Sequence, residues 1–118
     1  MPKFMLLLTG VDIDSHRGNC EPSGIIDKYA QWANGLRAAN RFVEAQKLKD
    51  GEGFRVKKIK GHVVDGPFAE TKEMISSFFV IEAKDYPEAI SIARECPAVM
   101  DQGGYVEVRE VTTCPGAE

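Results

Sequence analysis

Most of the candidate site residues in this chain lie in one short run, Asp65-Gly66-Pro67-Phe68-Ala69-Glu70-Thr71-Lys72-Glu73. It separates two apolar, strand-like stretches. A carboxylate held at a strand end beside apolar neighbours has a raised pKa, and Asp65 so placed can take a proton from an acidic carbon or hydroxyl of a small substrate. A structural reading stands beside this one. Asp before Gly is a favoured turn pair, because its side chain bonds the backbone two residues on. Gly66 and Pro67 then shape the backbone, and Phe68 plugs the loop into the core. Glu70 and Glu73 fall on one side of a short bend, with Lys72 off it and Thr71 free to cap. That cluster is either a polar turn or part of a ligand site.

The two histidines stand in different relations to Asp65. His62 lies three residues before it, so on a regular strand the two face opposite sides and form no dyad. His16, in the polar segment 11–22, can fold over a cleft and partner Asp65 as acid or base. Arg109 can hold a substrate carboxylate through a bidentate contact, or pair with a carboxylate on an adjacent strand. Cys20, Cys96 and Cys114 are widely spaced, with no CxxC pair or His/Cys cluster, so neither a zinc site nor a disulfide framework is expected. No phosphate loop, GxSxG elbow or Walker motif occurs, and no metal or cofactor is expected.

Composition sets the frame for these residues. A chain of 118 residues, 43% apolar and 28% charged, is one ordinary globular domain, with a core expected over 1–111 and a tail over 112–118. The net charge of −3 argues against a nucleic-acid partner. Lys57, Lys58 and Lys60 make the densest basic run, but Asp65, Glu70 and Glu73 follow it, as on a solvated strand face. The opening "MPKFMLLLTG" is too short for a signal peptide or membrane span, so a cytoplasmic, reducing setting is expected.

The positioning elements follow from periodicity. "FMLLL" (4–8) is an unbroken apolar run suited to a central strand. Ser23 can cap a helix whose stripe is Ile25, Tyr29, Trp32, Leu36 and Ala39, widened by Ile26 and Ala33, ending near Asn40. A short strand, a connection and a second strand follow over 41–54. "FRVKKI" and "HVVD" flank Lys60-Gly61, a hairpin turn. "SFFVIEA" (77–83) is a further strand. Asp85 with Glu88 starts a second helix whose stripe is Ala89, Ile90, Ala93 and Cys96, and Pro97 ends it. "YVEVREV" (105–111) alternates like a half-buried strand. This order predicts an α+β, ferredoxin-like split βαβ with an extra β-hairpin. With both helices on one sheet face, Phe4, Leu6 or Leu8, Phe78 or Phe79, Val106 and Val108 would lie uncovered on the other, and a homodimer formed sheet to sheet would bury them.

The stretch "VVDGPFAETKEMISSFFVIEA" (63–83) closely resembles the signature of DGPF-domain proteins within the YCII-related family. "KFMLLL" at 3–8, "CP" at 96–97 and "VEVR" at 106–109 extend the resemblance over nearly the whole chain. It implies a dimeric α+β barrel. Two departures stand out: Ser76-Ser77 where members usually have paired glycines, and Glu110 after Val108-Arg109 where they usually have proline. Residues and resemblance together point to a small organic molecule bound beside the DGPF loop by Gly66, Pro67, Phe68, Glu70, Lys72, Glu73 and Arg109. Asp65 and His16 would then carry cofactor-independent acid/base chemistry. Because some members accompany sigma factors, it equally allows a non-catalytic interaction module of a transcription system.

Overall fold

The computed structural model describes residues 1–11, 22–49, 52–67 and 74–112, the side chains at 22–23, 59 and 62–67 excepted. Strand β1 (Lys3–Thr9) is the apolar run near the start, and it is central, as its composition predicts. It pairs antiparallel with β5 (Ile75–Glu82) on one side and β6 (Tyr105–Glu110) on the other. β2 (Phe42–Lys47) adds to β5, giving the order β2-β5-β1-β6. With helices α1 (Pro22–Ala38), α2 (Tyr86–Arg94) and the short α3 (Pro97–Met100), this is the ferredoxin-like α+β arrangement.

Register decides which side chains reach the helices. Phe4 stands opposite Ile81 and Leu6 opposite Phe79, and all four are buried together with Leu8, Ala33, Leu36, Ala89, Ala93 and Cys96. Val106 and Val108 stand opposite Leu8 and Leu6, and pack on the same core. The expected membership of the uncovered face is therefore corrected for every residue named except Phe78. The other face carries Met5 and Leu7 with Val80 and Phe78 opposite them, outside the core that the helices cover. The reason is that an unbroken apolar run has no alternation to declare its faces.

The helix ends follow local chemistry. α1 closes in a Schellman motif. Asn40 adopts φ 60°, its N–H donates to the Arg37 carbonyl at 3.0 Å, and the Arg41 N–H donates to the Leu36 carbonyl at 2.8 Å. The start differs from expectation: the helix begins at Pro22, so Ser23 lies inside it. Proline suits that place because the first helical N–H has no partner inside the helix. Ile26, expected on the buried stripe, is 58% exposed, and Ala39 is exposed as well. In α2, Asp85 accepts the Glu88 N–H at 3.0 Å, and the Glu88 carboxylate accepts the Lys84 N–H at 3.0 Å. Ile90 is exposed, and Ile92 packs on the core in its stead. Pro97 follows the end of α2 at Arg94 and opens α3.

Glu88 also receives the Arg41 guanidinium, which donates to the Glu82 carbonyl at 3.2 Å as well. That hydrogen bond, then the one from Lys84, holds the Glu88 carboxyl below the usual range. A depressed folded-state pKa contributes stability above the unfolded pKa and loses it as pH falls through the folded one. Between about pH 6 and about pH 3, wild type should therefore lose more melting temperature than Glu88→Gln. Parallel melting curves for the two proteins would show that this carboxyl does not titrate the fold.

Strands β3 (Phe54–Ile59) and β4 (His62–Pro67) form a sheet of their own. They are joined by Lys60 and Gly61 at φ 50° and 83°, the two positive values of a type I′ turn, for which glycine has no steric cost. Among the described residues the hairpin packs little against the other elements.

Candidate functional site

Asp65, Gly66 and Pro67 are placed in β4, opposite Val56, Arg55 and Phe54 respectively. The strand expected over 62–65 runs on through Gly66 and Pro67, where a turn was the alternative, and Asp65 lies two residues before its end. The ladder supplies the reason, because backbone pairing with Phe54–Val56 overrides the local turn preference. His62 opens the strand opposite Ile59, and the register runs unshifted from there to Pro67. His16, Phe68, Glu70, Thr71, Lys72 and Glu73 lie outside the described residues, as do Cys20, Cys114 and most of the 11–22 segment and the tail.

Arg109 is on β6, opposite Met5, and therefore belongs to the sheet face away from the helices. Its guanidinium donates to the Glu107 carboxylate at 3.1 Å, with side chains 68% and 50% exposed. The partner is two residues away on the same strand rather than on a neighbouring one. A pair this exposed contributes at most about 1 kcal/mol, so exchanging Glu107 for a ligand carboxylate costs little. Tyr105, opposite Thr9, brings an exposed hydroxyl-bearing ring to the same face. Ser76, one of the two serines at the expected glycine pair, is the extra residue of a bulge, since Leu8 pairs with Ser77 and Thr9 with Ile75. Its hydroxyl donates to the Leu8 carbonyl at 3.2 Å.

The buried polar groups have other work. The Tyr29 hydroxyl donates to the Gln102 side-chain oxygen at 2.6 Å, and Lys28 pairs with Asp101 at 2.7 Å. Together they tie α1 to the turn between α3 and β6. Burial first, then the proximity of Cys96 and Asp101, raises the Tyr29 pKa far above the ordinary phenol value. It acts as a neutral donor. Periodicity placed Tyr29 on a packing stripe, and nothing in the chain announced Gln102 as its partner. Cys96 is fully buried, and burial pushes its thiol up to about 11 against the opposing hydrogen bonds of Ala98 and Val99. It is a packed thiol and not a nucleophile at neutral pH. Among the described residues no group of three or more His, Cys, Asp or Glu could hold a metal ion. No described helix is long and apolar enough to cross a membrane.

Comparison with known proteins fits this architecture. A 47-residue segment is 43% identical to an uncharacterised protein of Rhizobium meliloti (strain 1021), covering 40% of this chain and 38% of that relative's length. Among solved structures, the chain resembles 5-chloro-2-hydroxyhydroquinone dehydrochlorinase from Burkholderia phenoliruptrix AC1100, in complex with 2,5-dihydroxybenzoquinone. The TM-score is 0.57 over 98% of this chain and 99% of that one, at 14% identity, a likeness of fold. The model of the YCII-related domain matches residues 21–114, and the chain belongs to the YCII-related family.

Proposed function

We propose that the chain binds a small, hydroxylated organic molecule beside the Asp65–Glu73 segment, with Asp65 acting as general base and no cofactor taking part. The observation that carries this reading is the strand that contains Asp65. Asp, Gly and Pro are all depleted in strands, yet all three stand in the ladder of β4. The turn role that would account for Asp65 structurally has no place in a paired strand, so a chemical role explains it better. The dehydrochlorinase of like fold, seen with a dihydroxybenzoquinone, supports the ligand class.

In this reading Asp65 takes a proton from an acidic carbon or hydroxyl, and His16 returns one. Gly66, Pro67 and Phe68 shape the cleft, Glu70, Lys72 and Glu73 bind polar groups of the ligand, and Arg109 takes its anionic end. A second reading, a non-catalytic interaction module, is favoured by the exposure of Phe54 and Val56 on the hairpin. A thermal-shift screen over hydroxylated aromatics and keto acids separates the two. A ligand at 100 times its dissociation constant should stabilise wild type by about 2.7 kcal/mol, and Asp65→Asn should fold normally and lose most of that gain. Equal stabilisation of both proteins, or none across the screen, would refute the proposal.

A further inference from the structure

We propose that Ser77 holds the ligand: its buried hydroxyl bonds one hydroxyl or keto oxygen of a molecule with an apolar ring, and so decides which rings the site accepts. The proposal rests on the functional reading for there being a ligand, and on the strand geometry for the role of Ser77.

Among the described residues Thr9 and Ser77 are the only buried polar side chains, at 6% and 7% exposure. Ser77 stands opposite Leu8 on β1 and shares its face of β5 with Phe79, so it points toward the helices. Thr9, next after Leu8, falls on the other face. No described group bonds the Ser77 hydroxyl, whereas the neighbouring Ser76 hydroxyl reaches the Leu8 carbonyl. A buried hydroxyl left unpaired is costly, so it calls for a partner that these strands do not supply. The Asp65–Glu73 segment leads into β5, and Ser77 is the first buried residue on that strand. Ser76 before it is the extra residue of the bulge, a device that re-aims side chains next to active sites.

The surroundings of Ser77 select the partner. On its face the neighbours are Leu8, then Val106 beyond it, and Phe79 along the strand, all apolar and all part of the core or packed on it. Lys47 stands opposite on β2, exposed, with its ammonium donating to the Leu48 carbonyl at 2.6 Å. A buried water needs roughly two to four polar partners and would find few here. A ring carrying an oxygen suits the place better. Its apolar body extends the core past Leu8 and Phe79, and its oxygen meets a hydroxyl that can both donate and accept.

The test removes the oxygen from each side in turn. Hydroxyhydroquinone is compared with the three dihydroxybenzenes, and phenylpyruvate with phenylpropionate, so that each pair keeps the ring and loses one oxygen. Wild type should bind the fuller member of a pair at least tenfold more tightly than an analogue. Ser77→Ala should bind both members alike, as weakly as wild type binds the analogue. Without ligand it should melt at least as high as wild type, since no bond within the fold is lost. A lower ligand-free melting temperature, or discrimination unchanged in Ser77→Ala, overturns the proposal. Loss of binding in Asp65→Asn with Ser77→Ala binding as wild type overturns Ser77 and leaves the functional reading standing; loss in Ser77→Ala with Asp65→Asn unaffected does the reverse. If wild type binds nothing, the functional reading fails, and the ligand-free melt alone decides whether the Ser77 hydroxyl is free for a ligand.

Discussion

Replacing Gly104 by alanine should cost about 3 kcal/mol and lower the melting temperature by roughly 10 °C. Gly104 precedes β6 where that strand leaves the α3 turn, and its N–H donates to the Ala98 carbonyl at 2.9 Å. A Cβ there would sit 2.5 Å from the Thr9 carbonyl oxygen, 3.0 Å from the Val11 nitrogen and 3.1 Å from the Gly10 carbonyl carbon. All three are backbone atoms, so no side chain can turn aside to relieve the clash. Either β6 shifts against β1 or the hydrogen bond to Ala98 is lost. Gly35 provides the control, since it lies within α1 with nothing within 4 Å of an added Cβ. Gly35→Ala should stabilise the protein by about 0.5–1 kcal/mol through helix propensity. Calorimetry of the two variants checks both signs, and equal melting temperatures would contradict the tight approach at Gly104.

Phe79→Ala should be at least as damaging, at about 3–5 kcal/mol. Phe79 is 8% exposed in β5 and is the ring on which the helix and β2 converge. Trp32 meets it edge-on at 4.7 Å and Phe42 at 6.3 Å, while Tyr29 stacks at 6.5 Å. Truncation removes the apolar area of one ring and leaves three others facing a cavity. Phe79→Leu fills part of that space and should lose less than half as much. Trp32 reports on the site directly, so the near-ultraviolet circular dichroism of Phe79→Ala should weaken even where its helix signal persists. A loss below about 1 kcal/mol in chemical denaturation would show that these rings do not form the centre of the core.

The parts of this fold that were legible in the chain are those where one residue has a local job. Gly61 could be read because a two-residue hairpin loop needs positive φ, and Asn40 because it tolerates the same region after a helix. Asp85 and Glu88 could be read because their spacing satisfies helix N–H groups wherever the helix sits. What could not be read depends on partners far along the chain. The faces of β1 are set by its pairing with Phe79 and Val108, not by anything within "FMLLL". Ile26 and Ile90 fit their helical periods, yet both are exposed in the fold. Gly66-Pro67 after the strand "HVVD" suggest a stop by composition, and only the ladder to Phe54 and Arg55 shows that the strand continues. The candidate site is named from its family run, most of which lies outside the described residues, whereas the Tyr29–Gln102 bond, spanning 73 residues, had no signal to find.

The central claim is that Asp65 acts as a base on a bound small molecule. The most direct measurement is solvent-deuterium exchange, followed by nuclear magnetic resonance, at the acidic carbon of a keto acid that stabilises the wild type. Wild type should accelerate exchange over buffer, and Asp65→Asn, at saturating ligand, should slow it roughly 100- to 10,000-fold. Equal exchange rates in the two proteins with the ligand bound would contradict the claim.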